Sequence, residues 1–88
     1  MTMPERLMNL AHGRKGLRGT VAKVEGLGPE SEAAELERRL LEIGFVEGAS
    51  VEILHEGFIG RDPIAVRVDD MRVAIRRREA AAILVRPA

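Results

Sequence analysis

Between Ile64 and Arg76 apolar and polar side chains alternate almost without fault. Ile64, Val66 and Val68 alternate with Ala65, Arg67 and Asp69; Met71, Val73 and Ile75 alternate with Arg72, Ala74 and Arg76. Successive strand side chains point to opposite faces, so this pattern demands a sheet with one dry face and one wet one. Asp69-Asp70 interrupts the two runs as a short turn, and together they predict a β-hairpin. Short acidic side chains suit such a turn because they can bond nearby backbone amides.

The rest of the chain extends that sheet. Thr20, Val21 and Val24, within Leu17 to Glu25, read as a strand with Gly19 as a place to bend. A strand is also expected from Ala49 to Glu56, with Val51 and Ile53 on one face and Glu52 on the other. Arg77 to Ala82 reads as a helical turn and Ile83 to Val85 as a last short strand. One segment departs from period two. Ala33, Leu36, Leu40 and Ile43 recur at helical spacing and form one apolar stripe. Ser31 is the expected N-cap of this helix, since its hydroxyl can accept from an orphan amide. Glu30, Glu32 and Glu35 suit the positive end of the helix dipole, and Glu35 and Arg39 are spaced to pair. Gly44 is expected to end the helix in the left-handed conformation. The predicted fold is mainly β, a small α+β domain: an antiparallel barrel of four or five strands with the helix inserted after the first strand and capping one open end. Residues 1–88 are read as a single domain.

With 88 residues, only roughly 60–65% of the unfolded chain's surface is buried on folding. Aromatic residues make up 2%, so Val, Ile, Leu and Ala must build the core and little remains for a deep catalytic pocket. There is no cysteine, which excludes disulfides, thiolate metal sites and Cys nucleophiles. No apolar run approaches the roughly 20 residues that span a bilayer, and Met1 to Leu10 lacks a signal-peptide core, so a cytoplasmic protein is expected. Net charge is zero but unevenly spread. Residues 25–56 hold nine acids against Arg38 and Arg39, whereas residues 57–88 hold seven arginines against four acids. A charged partner patch fits that dipolar layout, as does simple mixing of charges on a solvated surface. Nucleic acid is not expected, because phosphate binding calls for a net basic surface.

Candidate catalytic groups are few. Ser31 and Ser50 lie in no nucleophile motif, and Gly13-Arg14-Lys15-Gly16 lacks the Ser/Thr and flanking strand of a phosphate-binding loop. No enzyme activity is expected. His12 and His55 lack a second histidine at metal-ligating spacing; His55 and Glu56, completed by a distant carboxylate, are the weak candidates for a metal. The segment Gly57 to Pro63 reads as a loop, with Phe58 and Ile59 bracketed by glycines. Phe58 either folds back to plug the barrel or stands out with Ile59 as an anchor for a partner. Asp62 is expected to bond its own backbone and fix the turn. Arg76, Arg77 and Arg78 either pair with the acidic segment 25–56 or dock an acidic partner. The candidate partner-binding set is therefore Phe58, Ile59, Arg61, Asp62, Arg76, Arg77 and Arg78.

Leu40, Ile43 and Gly44 at the helix end, Gly48 opening the next strand, Gly60, Asp62 and Pro63 at a turn, then Ile75, Arg76, Glu79 and Ala80 follow one another in a fixed order. From about Leu7 to Val85 this order resembles the ferrous iron transport protein A (FeoA) family. Arg61 inside the turn is a departure, as is Asp69-Asp70 where glycine is frequent in the family. The resemblance implies an SH3-like barrel, no cofactor, and a cytoplasmic accessory role in bacterial ferrous iron uptake. It implies docking to the FeoB permease, which carries a cytosolic GTP-binding domain, and so a link to the membrane only through that partner. The alternative is a metal-responsive regulatory SH3-like domain that binds a transition metal ion or a regulator. No helix-turn-helix precedes the barrel, so free-standing DNA binding is not expected. Exposed sheet edges leave room for a weak homodimer.

Overall fold

The computed structural model describes residues 6–88; the reading of Met1 to Leu10 falls partly outside them. The described residues form six strands: β1 (Met8–Asn9), β2 (Arg18–Val24), β3 (Ser50–Ile59), β4 (Asp62–Val68), β5 (Met71–Ile75) and β6 (Ile83–Pro87). A 3-10 turn, Leu10–His12, follows β1; helix α1 (Glu30–Ile43) follows β2, and the short α2 (Arg77–Ala80) follows β5. All six strands join one antiparallel sheet in the order β1-β6-β2-β3-β4-β5. This is the expected small α+β architecture, with two differences. The sheet has six strands because Met8–Asn9 pairs with β6 as an additional edge. Among the described residues β1 and β5 remain edges, so hydrogen bonding does not close the barrel.

The period-two hairpin is present as read. β4 and β5 pair without a break from Ile64↔Ile75 to Val68↔Met71, and Asp69 takes the turn with φ +52°. Its carboxylate accepts from the Ser50 amide of β3 at 2.9 Å, so the acidic turn is tied sideways to the neighbouring strand. Ile64, Val66 and Val68 are buried, beside Val51 and Ile53 of β3 and Val21, Ile83 and Val85 of β2 and β6. Leu40 of α1 is buried among them, with Leu36 and Ile43 packed against the cluster, as the helical stripe predicts. Phe45, fully buried just past the helix, is the largest side chain of this core.

The ends of α1 divide the expectations. Gly44 ends the helix with φ +126°, its amide donating to the Leu40 and Leu41 carbonyls. At the other end Ser31 is not the cap. Pro29 occupies the N-cap position and makes no side-chain hydrogen bond. Its ring holds φ at −55°, and its carbonyl accepts the first helical bond, from Ala33, at 2.8 Å. Glu30 and Glu32 lie in the first turn, at the positive end of the helix dipole. Arg39 does not pair with Glu35 either; it reaches across the fold to Glu79.

The expected loop from Gly57 to Pro63 is strand. β3 continues to Ile59 and β4 begins at Asp62, leaving only Gly60-Arg61 as the turn. Both turn residues have positive φ, +65° and +59°, the primed geometry whose twist matches paired strands. Between Glu56↔Ile64 and Ile59↔Asp62 the register shifts by one residue. Such a bulge breaks the alternation by which a strand is recognised.

Candidate functional site

The β3–β4 hairpin carries Phe58 and Ile59 out from the sheet. Phe58 is fully exposed and Ile59 is 88% exposed. Phe58 therefore does not plug the barrel; the interior is already filled by Phe45 and the aliphatic residues around it. Gly57, Phe58, Ile59, Asp62, Pro63 and Arg76 line a shallow cleft of about 440 Å³ at the hairpin's side. Asp62, Arg76 and Arg78 line a neighbouring depression. The two sequence segments singled out, Gly60–Ile64 and Arg76–Ala80, thus meet at one end of the molecule.

What joins them is Arg77. Its Nε donates to the Arg61 carbonyl at 2.9 Å, inside the hairpin turn. One terminal nitrogen, NH1, donates to the Ala11 and Gly13 carbonyls, each at 2.8 Å. The other, NH2, donates to Glu56 Oε1 at 2.7 Å. The flat, five-donor guanidinium suits this task because it can hold several acceptors in fixed directions. Arg77 is consequently an internal tie between α2, the hairpin and the segment after β1. The pairing of Arg76–Arg78 with residues 25–56 is realised through this one arginine and Glu56, whose side chains are 20% and 19% exposed.

Asp62 also acts at a distance. It was expected to bond its own backbone, but its Oδ1 accepts from the Arg77 amide at 2.9 Å. That amide opens α2, so Asp62 caps the helix from another element, and its Oδ2 lies 4.0 Å from Arg76. Glu79 completes the cap by accepting from the Arg76 amide at 3.0 Å. Arg61 and Arg78 are exposed and make no ion pair among the described residues.

Glu56 is a structural acceptor. The Lys15 amide donates to its Oε2 at 3.2 Å, and Arg14 lies 3.9 Å from its Oε1. The Lys15 hydrogen bond is the main force holding its carboxyl below the usual range; partial desolvation opposes it, while Arg14, Arg77 and Arg61 reinforce it. A carboxylate with a lowered folded pKa stabilises the fold above its unfolded pKa, and this contribution is lost as pH falls through the folded pKa. Glu56→Gln is therefore expected to flatten the acid limb of the stability curve, where pH falls from the ordinary carboxylate range through the lowered one, as measured by urea unfolding at stepped pH. His55, the other weak metal candidate, is exposed on β3 opposite Ala65. Among the described residues no three His, Cys, Asp or Glu side chains gather to hold a metal ion.

A second, larger cleft of about 580 Å³ lies among Arg18, Thr20, Ser50, Arg67 and Arg86. The sequence reading passed over it, because strand register is what brings these residues together: Thr20 stands opposite both Ser50 and Arg86. Arg67 is held there by Glu52 at 3.6 Å and Ser50 Oγ at 3.4 Å.

The small antiparallel sheet with one packed helix is an SH3-like fold, and it presents a protruding apolar tip. The FeoA domain profile matches residues 8–87, and the chain belongs to the FeoA family. The crystal structure of Stenotrophomonas maltophilia FeoA complexed with zinc, described as a procaryotic SH3 domain protein, superposes with a TM-score of 0.75 at 33% identity, covering 89% of this chain and 88% of that one. A manganese-dependent transcriptional repressor superposes at 0.79 with 22% identity, covering 98% of this chain and 44% of that one, and shows the shared fold alone. A curated relative from Porphyromonas gingivalis strain W83, an Fe(2+) transport protein A/Fe(2+) transporter FeoB fusion protein, is 33% identical over 78 residues. The match covers 89% of this chain and 8% of that far longer relative.

Proposed function

We propose that this chain is a cytoplasmic accessory protein of ferrous iron uptake that acts by docking to the FeoB permease, without catalysis of its own. The observation that carries this reading is the P. gingivalis relative, in which a similar domain and the transporter are one polypeptide. Tethering makes an otherwise weak encounter intramolecular, so the fusion is informative even if the free domains bind weakly. Among the described residues no helix is long and apolar enough to cross a membrane.

The docking face is the end built from Phe58, Ile59, Arg61, Asp62, Arg76 and Arg78. Arg77 and Asp62 set its shape from within, while exposed Arg61, Arg76 and Arg78 supply positive charge beside the apolar tip. Charge of this kind steers encounter and is screened by salt. Co-purification of the tagged chain with detergent-solubilised FeoB tests the reading. Arg76→Glu/Arg78→Glu is expected to weaken recovery by about tenfold or more, and Phe58→Ser/Ile59→Ser to weaken it while leaving thermal stability unchanged. Undiminished recovery with both double variants removes this face from the account; no recovery of the wild-type chain removes docking itself.

A further inference from the structure

The wet face of the sheet carries a concavity that docking through the hairpin leaves unused. Strand register builds it. Thr20 of β2 stands opposite Ser50 of β3 and Arg86 of β6. Arg18 stands opposite Glu52, and Glu52 stands opposite Arg67 of β4. Residues directly opposite, or two apart along one strand, share a face. These six side chains therefore share one face, while the adjoining Val21, Val51, Val66 and Val85 are buried on the other. Three arginines from three strands thus line one cleft of about 580 Å³, a size within the roughly 300–1,000 Å³ of small-ligand sites. Among the described residues no Asp or Glu lines it. Arg67 is fixed there by the Asp69 carbonyl at 2.5 Å, Ser50 Oγ at 3.4 Å and Glu52 at 3.6 Å. Ser50 Oγ accepts in that contact, so its own proton is left to donate elsewhere. Arg18 is exposed and makes no ion pair among the described residues, because Glu52, opposite both arginines, pairs with Arg67. The Asp69 carboxylate is turned onto the Ser50 amide.

We propose that this cleft binds an oligophosphate chain, inorganic or carried by a nucleotide, with Arg18 and Arg67 meeting successive phosphoryl groups and the Thr20 and Ser50 hydroxyls donating to them. Spacing favours a chain over a single anion. The arginines are rooted on β6, β2 and β4, which lie three strand spacings apart, roughly 14 Å from first to last. Linked phosphoryl groups reach along such a row, and each tetrahedral group accepts guanidinium and hydroxyl donors from several sides. No aromatic residue lines the cleft, so a nucleotide base has no stacking platform and only the phosphate chain is recognised. Ala88 closes one end, its amide donating to the Arg18 carbonyl at 2.8 Å. With Glu52 and a carboxylate on Ala88 both counted, the three guanidiniums still outnumber the acids at the cleft. The site shares no residue with the hairpin end, so it stands or falls separately from docking to the permease.

The test is an amide NMR titration of the full chain with sodium tripolyphosphate at low ionic strength, without divalent metal and without permease. Saturable shifts are expected at residues 18–20, 50–52 and 67, with a Kd of about 1 mM or below that rises with added salt. Adenosine triphosphate is expected to bind as tightly as tripolyphosphate, and citrate, with planar carboxylates, about fivefold more weakly. Arg18→Gln is expected to weaken binding by about tenfold with thermal stability unchanged. Glu52→Gln, which removes the acid between the two arginines, is expected to strengthen it by up to about fivefold. Arg61→Glu/Arg78→Glu, a larger charge change at the hairpin end, is expected to bind like the wild type. No saturable shift up to about 10 mM tripolyphosphate, undiminished binding by Arg18→Gln, or equal weakening by the hairpin variant overturns the proposal. So does citrate binding as tightly as tripolyphosphate, or binding of adenosine triphosphate where tripolyphosphate fails.

Discussion

Arg77→Ala is expected to lower the unfolding free energy by about 2–4 kcal/mol. The guanidinium satisfies the carbonyls of Ala11, Gly13 and Arg61 and the carboxylate of Glu56. Alanine removes all four donations at once and leaves acceptors from three segments without them. Gly13 is itself buried, so water does not simply replace the lost donor. Arg77→Lys recovers only part of the loss, because a single ammonium cannot reproduce the planar fork. Arg78→Ala, one residue on and exposed, stays within about 0.5 kcal/mol of the wild type. Urea unfolding followed by far-ultraviolet circular dichroism measures all three. Equal stability of Arg77→Ala and Arg78→Ala would mean that the tie is dispensable and that the hairpin is held by its strand pairing alone.

Gly57→Ala is expected to cost about 2–3 kcal/mol and to damage the docking end specifically. A Cβ at Gly57 would lie 2.3 Å from the Asp62 carbonyl oxygen and 2.6 Å from the Asp62 carbonyl carbon. Both are backbone atoms, so no rotamer change relieves the contact, and β3 and β4 must part at the bulge. Parting them draws the Asp62 carboxylate away from the Arg77 amide, which links the hairpin to the start of α2. The expected signature is loss of stability together with a shift of the Arg77 amide resonance. Gly60→Ala provides the contrast. Nothing lies within 4 Å of a Cβ there, and only the strain of φ +65° is incurred, about 1–2 kcal/mol. Equal costs at the two glycines would contradict the close approach at Gly57.

The elements that were legible before the structure are those whose reason is local. The β4–β5 hairpin shows in its alternation because one face is dry and the pairing runs unbroken. The C-terminus of α1 shows in Gly44 because few other residues take φ +126° without strain. The tip of β3 was hidden by the bulge, which inserts one residue and sends the alternation out of phase after Glu56. Ser31 was misleading because Pro29, two residues earlier, already starts the helix. Arg39 and Asp62 each offered a plausible near neighbour, yet both are bonded to residues beyond the hairpin, Glu79 and Arg77. The motif order singled out the segments 60–64 and 76–80, which the fold brings together. The division of labour among their residues was not legible, since three consecutive arginines look alike until one is turned inward. The core histories of Phe45 and Phe58 diverge for the same reason: composition counts two aromatic residues, and only packing tells the filled interior from the exposed tip.

An amide NMR titration of the labelled chain with the purified cytosolic domain of FeoB tests the central claim, which is docking through the hairpin and the α2 entrance. The account predicts saturable shifts confined to residues 57–63 and 76–78, lost in Arg76→Glu/Arg78→Glu and weakened by salt. Saturable shifts centred instead on the cleft around Arg18 and Arg67, with residues 57–63 unmoved, would contradict it.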